Sequence, residues 1–184
     1  HPEYFFVDGY EYSVFSKGEK VIGIEFLPKY LYSVEESLER RKLIETEVKK
    51  ILLNAPVTED DYEKIKYVYE TLIQQTEYDE KAADNQNIYS VFVGKASVCQ
   101  GYAKATQYLL QCLGLECSII SGRVIYGELH SWNIVKSNGD YYYVDTTWGD
   151  ASYSREGQAV VEGMVPTINY DYLCVTAEML NRSH

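Results

Sequence analysis

Apolar and polar residues alternate along two stretches near the start of the chain. Residues 4–15 and 20–27 show this period of two around Asp8-Gly9 and Lys17-Gly18. Alternation of this length is typical of strands, and a polar residue followed by glycine is typical of tight turns. The pattern therefore predicts a small β-rich segment over residues 1–32.

Two helices are predicted next, because each opens with a capping pattern and continues with apolar residues three and four positions apart. Ser33 and Glu36 have the spacing of a capping box, and Thr58 and Asp61 open the second helix in the same way. The first helix ends before Pro56, and its apolar face is formed by Val34, Leu38, Ile44, Val48, Ile51 and Leu52. The face of the second is formed by Tyr62, Ile65, Tyr69, Leu72 and Ile73. Residues 33–87 are thus expected to be helical.

The second half of the chain changes from helix to sheet. A third helix is expected from about residue 98 until Gly114, with Ser97 as its cap. Three segments rich in β-branched and aromatic residues then predict antiparallel strands, at residues 116–124, 129–135 and 141–146.

The end of the chain has a weaker pattern. Residues 151–168 contain glycine, proline and charges without a period, which predicts a long surface loop, and residues 168–175 predict a last strand. We expect a single α+β domain whose core is formed by residues 88–150, with the loop and last strand over residues 151–184.

An Asn-Gly pair fixes the register of two predicted strands. If Asn138-Gly139 is a two-residue hairpin loop, Trp132 lies opposite Asp145, and His130 lies opposite Thr147. His130 and Asp145 are then diagonal neighbours, with backbones about 7 to 8 Å apart, a span that their side chains can bridge. The register predicts an imidazole beside a carboxylate.

A cysteine at the start of the third predicted helix completes a possible nucleophilic site. Backbone N–H groups and the helix dipole favour a thiolate at Cys99, in the first turn. A Cys-His-Asp set of Cys99, His130 and Asp145 could attack a carbonyl. Spacing alone leaves other readings open, since cysteines are often core residues, a histidine can be a satisfied polar group, and an aspartate can cap a turn.

Charge and length exclude several classes of protein. The chain has 184 residues, with 17 basic and 28 acidic side chains and a net charge of −11, so we expect neither nucleic acid nor an anionic membrane as a partner. No stretch approaches the ~20 consecutive apolar residues of a membrane helix. The 19 tyrosines predict half-buried sheet positions or, as the alternative, a surface that binds carbohydrate or peptide.

The cysteines do not form a metal-binding pattern. They stand at positions 99, 112, 117 and 174 without a Cys-x-x-Cys pair, which disfavours structural zinc. We expect Cys112 and Cys174 to be packing residues and leave Cys117 open between core and edge. Because the chain begins at His1 rather than Met, we expect it to be processed or part of a longer protein, with an extracellular or cell-surface location favoured and a cytoplasmic one left open.

Three sequence blocks carry a resemblance to a known family. Residues 94–103, Gly-Lys-Ala-Ser-Val-Cys-Gln-Gly-Tyr-Ala, resemble the nucleophile motif of the transglutaminase-like superfamily. Residues 129–135 are similar to its His-x-Trp-Asn strand, and residues 143–150 to its Val-Asp-x-Thr-Trp-x-Asp strand. The resemblance, which is continuous over about residues 88–150, is to the bacterial cysteine-protease type. It implies a papain-like core in which the helix that begins with the catalytic cysteine packs on an antiparallel sheet.

The same resemblance implies the site residues and leaves one position open. Cys99, His130 and Asp145 carry over as the catalytic triad. Papain-like enzymes have an oxyanion-stabilising glutamine six residues before the nucleophile, and this position is Val93 here. Side chains that could supply the second oxyanion contact or line the substrate site are Gln86, Tyr89 and Gln100, and those expected to flank the triad, or only to pack the sheet, are Trp132 and Trp148. No metal or cofactor is implied, since there is no acidic cluster of EF-hand form.

The resemblance implies an enzyme, and it leaves the reaction open. Hydrolysis of an amide or peptide bond through a thioester is favoured, and transfer to an amine is the alternative, because both pass through the same intermediate. An alternative of another class is a non-catalytic module that binds peptide or cell-wall polymer. The expected substrate is a protein, a peptide or a peptidoglycan-type polymer, and the oligomeric state is left open.

Overall fold

The computed structural model describes residues 1–125, 127–150 and 168–184. These residues form helices and strands in an α+β arrangement. The strands are β1 (Val7–Lys17), β2 (Lys20–Tyr30), β3 (Glu77–Tyr78), β4 (Ala96–Ser97), β5 (Cys117–Arg123), β6 (Leu129–Ser137) and β7 (Asp140–Val144). The helices are α1 (Val34–Leu53), α2 (Asp61–Gln75), α3 (Cys99–Cys112), α4 (Thr146–Gly149) and α5 (Ala177–Leu180). No helix among the described residues is long and apolar enough to cross a membrane.

The predicted N-terminal strands form an antiparallel hairpin. β1 and β2 turn at Gly18, whose φ of +62° suits glycine. The turn predicted at Asp8-Gly9 is wrong, because this pair lies within β1, where the register shifts and the strand bulges. One face of the hairpin carries exposed apolar side chains, namely Tyr10, Tyr12, Val14, Ile24 and Phe26.

α1 begins where its capping pattern predicts, whereas α2 is capped by Asp60, two residues after the predicted Thr58. Ser33 Oγ accepts a hydrogen bond from the Glu36 N–H at 3.1 Å, and Asp60 Oδ1 accepts one from the Tyr62 N–H at 2.9 Å. Most of the predicted apolar positions are buried: Ile44, Val48, Ile51, Ile65, Tyr69, Leu72 and Ile73. Three others, Val34, Leu38 and Tyr62, are exposed, because periodicity marks a face but burial also needs an opposing element.

α3 begins and ends as expected, but its cap differs from the prediction. The N-cap residue is Val98, which makes no side-chain capping bond, and Gly114 ends the helix with a φ of +86°. Ser97 is instead in β4, which pairs with β3 in parallel. Its hydroxyl is held by the carbonyl oxygen of Asn85 at 2.9 Å and by the hydroxyl of Ser90 at 2.7 Å. Long-range bonds therefore take the hydroxyl that was expected to cap the helix.

The three-stranded antiparallel sheet has the order β5-β6-β7. The register predicted from Asn138-Gly139 is confirmed from Ser137, opposite Asp140, to Asn133, opposite Val144. The pairing then stops, so neither Trp132 nor His130 faces its predicted partner on β7. The reason is local: Asp145 caps α4, and the chain leaves the sheet at that residue.

The last predicted strand is wrong. Within residues 168–175 only isolated bridges form, between Ile168 and Asp150 and between Val175 and Tyr143. A 3-10 turn at Tyr170–Tyr172, which is capped by Asn169, interrupts the segment. The predicted surface loop lies outside the described residues, apart from Ile168 at its end.

An arginine ties the segment before the cysteine helix to α1. The guanidinium of Arg40 lies 4.0 Å from the ring centre of Tyr32 and 4.3 Å from that of Tyr89. It also binds Asp84 at 2.7 Å, and Asp84 accepts the hydroxyl hydrogen bond of Tyr32. Residues 84–89 are thus fixed before the chain reaches α3.

α3 approaches this segment too closely for any side chain at Gly101. A Cβ added there would lie 1.9 Å from Ser97 Oγ and 2.8 Å from the carbonyl oxygen of Asn85. The glycine of the Cys-Gln-Gly-Tyr motif is therefore needed for packing.

We expect Gly101→Ala to destabilise the protein by about 2 kcal/mol, because the added methyl group overpacks a tight contact. Helix propensity alone would make the alanine variant more stable by about 1 kcal/mol. The sign of the change in the free energy of unfolding therefore decides between the two effects. Urea unfolding measures the difference, and Gly94→Ala is a control, since the nearest atom to its Cβ lies at 3.9 Å. A variant at least as stable as the wild type would contradict the packing role.

Candidate active site

Cys99 is the first residue of α3. Its backbone N–H has no acceptor within the helix, as for all residues of a first helical turn. The residue is half-buried and lines an open cleft of about 440 Å³. The thiol of Cys99 and a backbone N–H that is not bonded within the helix therefore lie together at the cleft.

His130 lies on β6 and is hydrogen-bonded to Asp145. The distance from His130 Nε2 to Asp145 Oδ2 is 2.7 Å, and the two side chains are only 6% and 1% exposed. Since Nε2 is taken by the carboxylate, Nδ1 is the ring nitrogen left to interact with Cys99, which lines the same cleft as His130. The three residues predicted from spacing are brought together.

The other carboxylate oxygen of Asp145 is used by the backbone. Oδ1 accepts hydrogen bonds from the N–H groups of Thr147 at 3.0 Å and Trp148 at 3.1 Å. Asp145 thus caps α4 with one oxygen and binds His130 with the other. The sequence left two roles open for Asp145, a helix cap and a partner of the histidine. The side chain has both roles.

Burial and hydrogen bonding act in opposite directions on this pair. Burial lowers the pKa of His130, but the hydrogen bonds with Asp145 and Cys99 outweigh it and raise the pKa to about 9. Burial raises the pKa of Asp145, but the hydrogen bonds from His130 and His184 outweigh it and lower the pKa. The site therefore favours an imidazolium beside a carboxylate at neutral pH.

His184 is a third member of this cluster that the sequence analysis missed. Its Nε2 lies 2.9 Å from the same Asp145 Oδ2 that binds His130, and its side chain is 1% exposed. No periodicity or motif pointed to it, because the chain brings it to the site through the bridges and turns after residue 168. His184 also lies outside residues 88–150, the part of the sequence that resembles the family, so no motif marks it.

Both tryptophans flank the histidine, as expected. The ring centre of His130 lies 5.9 Å from that of Trp132, nearly parallel to it, and 5.2 Å from that of Trp148. Trp132 also packs over Gly122, where a Cβ would meet the indole at 2.7 Å. The rings enclose the imidazole on the side away from the cleft.

The three other candidate side chains separate into two groups. Gln86 and Gln100 line the cleft with Cys99. Gln100 Oε1 accepts a hydrogen bond from Ser131 at 2.6 Å, and Gln86 Nε2 donates one to Asn85 at 3.0 Å. Tyr89 is not among the residues that line this cleft; its ring packs on Arg40 instead.

The other three cysteines are free thiols that do not line the cleft. Cys117 is buried and Cys174 half-buried, and burial raises the pKa of each to about 12. The prediction that Cys112 is a packing residue is wrong, because it is exposed at the last position of α3. Partial desolvation and the carboxylate of Glu3 still raise the pKa of Cys112.

A metal could be held by one group among the described residues. His130, Asp145 and His184 offer donor atoms that lie within 4.8 Å of one another. The nitrogen-to-oxygen distances in this group are 2.7 and 2.9 Å, which are those of hydrogen bonds. The arrangement is already complete as a hydrogen-bonded cluster.

A family model and several known proteins are similar to this chain. The model of the transglutaminase-like superfamily matches residues 53–146, about half of the chain. The chain is 25% identical over 105 residues to the mouse (Mus musculus) kyphoscoliosis peptidase, covering 48% of the chain and 16% of that relative. The chain therefore spans only a small part of that protein.

Two solved structures have a similar fold. One is a TGase, with a TM-score of 0.54 and 14% identity over 86% of this chain and 48% of that one. The other is a proposed cysteine protease from Cytophaga hutchinsonii, with a TM-score of 0.50 and 13% identity over 75% of this chain and 62% of that one. Both likenesses concern the fold alone.

The raised pKa of His130 predicts how stability depends on pH. Its folded pKa of about 9 lies above the ordinary histidine pKa of 6.5, so the stabilisation is complete below pH 6.5 and is lost as the pH rises through 9. The loss should be on the order of 3 kcal/mol. Urea unfolding across this range measures it. His130→Ala should flatten the profile, whereas His1→Ala, at an exposed position, should leave it unchanged.

Proposed function

The chain belongs to the transglutaminase-like superfamily, and from this premise we propose that it is a cysteine-dependent hydrolase of amide or peptide bonds. Members of the superfamily are usually cysteine-dependent enzymes. In the proposal Cys99 is the nucleophile, His130 the acid and base, and Asp145 the group that orients the histidine.

One observation carries the proposal: His130 binds Asp145 with one ring nitrogen, and it lines the same open cleft as Cys99. A non-catalytic binding module would not need the cysteine to be accessible, and it would not need a histidine paired with a carboxylate beside it. Burial of a charged pair destabilises the fold unless every partner is present. A buried and fully partnered pair therefore argues for a role beyond packing.

The reaction follows from the positions of the atoms. The thiolate of Cys99 attacks the carbonyl carbon, and the tetrahedral oxyanion accepts hydrogen bonds from the Cys99 N–H and the amide of Gln86. His130 Nδ1–H gives its proton to the leaving amine as the C–N bond breaks, which leaves a thioester. Water then attacks the thioester and gives its proton to Nδ1, and the acid is released with the thiolate restored.

Hydrolysis is favoured over amine transfer by the name of the relative found by sequence. The mouse relative is named a peptidase. The cleft is lined on one side by Ser121, Gly122, Arg123 and Leu129, a mixture of polar and apolar groups that suits a polypeptide. We propose a protein, peptide or peptidoglycan-type amide as the substrate.

The triad predicts which thiol reacts and how its variants fail. With His130 protonated up to about pH 9, iodoacetamide should label Cys99 rapidly even at pH 6. Labelling of Cys112, which is exposed, should be slow at that pH and serves as an internal control. Mass spectrometry of the labelled peptides reads both rates.

Cys99→Ala should abolish the fast label and the release of p-nitrophenol from p-nitrophenyl acetate. His130→Ala should move fast labelling to higher pH, and Asp145→Asn should lower turnover more than labelling. Equal labelling of Cys99 and Cys112 in the wild type would contradict the proposal. If the acetyl group is transferred to an added primary amine instead of being released as acetate, amine transfer is favoured instead.

Gln86 is expected to act as the second oxyanion donor. Gln86→Glu keeps the shape of the side chain but removes its N–H donors, so kcat for p-nitrophenyl acetate should fall by about 100-fold with little change in KM. Gln74→Glu is a matched control at an exposed position on α2. An unchanged kcat in the Gln86 variant would exclude this role and direct attention to Gln100.

A further inference from the structure

We propose that His184 is a positioning residue, which donates its Nε2–H to Asp145 and thereby holds this carboxylate in the orientation that aligns His130. The proposal rests on the proposed function, because it assigns His184 a role in ordering the catalytic pair. His184 does not line the cleft; its hydrogen bond to the catalytic pair is the one to Asp145, and its ring centre lies 5.5 Å from that of His130.

The hydrogen bonds of Asp145 explain why a second imidazole matters. Oδ1 is fixed by two backbone N–H groups of α4, and Oδ2 accepts from both histidines, at 2.7 and 2.9 Å. A carboxylate has about four acceptor positions, so all are filled. Without His184, a buried lone pair loses its partner and only His130 restrains Oδ2, which allows the carboxylate to rock about the Oδ1 anchor.

The ring of His184 is held in place independently of Asp145. Its centre lies 4.7 Å from that of Trp132, 4.5 Å from that of Trp148 and 6.1 Å from that of Tyr172. The same two tryptophans flank His130. The aromatic groups therefore fix the two imidazoles on either side of one carboxylate.

The other side of the His184 ring is also hydrogen-bonded. Its Nδ1 lies 2.8 Å from the hydroxyl of Ser183, which itself donates to the carbonyl oxygen of Leu180 at 3.3 Å. Because the carboxylate of Asp145 can only accept, the Nε2 of His184 carries the proton that it donates there.

The backbone around His184 is fixed as well. The carbonyl oxygen of Ser183 accepts from the N–H of Ile125 at 3.0 Å, and the N–H of His184 donates to Leu180 at 3.0 Å. These bonds join the segment after α5 to the connection between β5 and β6. The last described residues are thereby anchored beside the site.

A hydrogen-bonding role and a packing role can be separated by the choice of side chain. His184→Phe and His184→Leu keep an apolar group between the tryptophans but remove the donor. His184→Gln keeps an N–H at about the position of Nε2. We expect the Phe and Leu variants to lose about 10-fold in kcat for p-nitrophenyl acetate with KM unchanged, and the Gln variant to recover to within about threefold of the wild type.

A spectroscopic readout makes the test independent of activity. In protein labelled with ¹⁵N-histidine, the Nε2–H of His130 should give a downfield proton resonance, which is assigned by its absence in His130→Ala. This resonance should broaden or shift upfield in the Phe and Leu variants and persist in the Gln variant. Thermal melts of all variants identify any that fail to fold, and either apolar variant suffices for the comparison.

The outcomes separate this inference from the proposed function. If wild-type Cys99 is unreactive, the proposed function fails, and the resonance still reports on the His184 hydrogen bond. If wild-type Cys99 reacts but the Gln variant is as impaired as the Phe variant, His184 acts only through packing and the proposal is overturned. Apolar variants with wild-type kcat and resonance overturn it too. So does a wild type whose resonance or kcat changes with EDTA, because the cluster would then hold a metal.

Discussion

The buried carboxylate of Asp145 is the constraint on which the site depends. A charge with 1% exposure is tolerable only when each of its acceptor positions has a partner, and the chain supplies these from three distant parts. α4 provides two backbone donors, β6 provides His130, and the segment after α5 provides His184. The turn out of the sheet at residue 145, which ends β7, is a consequence of the same side chain, because its Oδ1 caps the helix that follows.

Directional polar contacts hold the cysteine helix against the sheet. Asn133 on β6 donates to the carbonyl oxygen of Ala103 at 3.0 Å, and the hydroxyls of Thr106 and Thr146 lie 2.8 Å apart. The buried ring of Tyr102 donates its hydroxyl hydrogen to the carbonyl oxygen of Thr76 at 2.7 Å. Apolar packing brings these surfaces together without fixing their relative position, whereas such bonds allow little sliding or rotation. Cys99 is therefore held at a fixed place relative to His130.

The N-terminal hairpin contrasts with this core. Its apolar face, formed by Tyr10, Tyr12, Val14, Ile24 and Phe26, is exposed, and β1 and β2 contact chiefly one another. A two-stranded hairpin is marginally stable alone, so it contributes little to the order of the site. Apart from the short turn at Pro2–Tyr4, which packs on α3, the elements that position Cys99, His130 and Asp145 lie between α1 and the last described residues.

Local interactions are what the sequence by itself determined. The cap at Ser33, the Asn138-Gly139 turn with its register, and the start of α3 at Cys99 each depend on residues a few positions apart, so their patterns were sufficient. The neighbourhood of Cys99, His130 and Asp145 followed from that register together with three matched blocks. Only the tertiary structure decided the bonds of Ser97, the packing of Tyr89 on Arg40, the interrupted strand after residue 168, and the arrival of His184 at Asp145. Each of these depends on a contact between segments far apart in the chain, and no periodicity encodes such contacts.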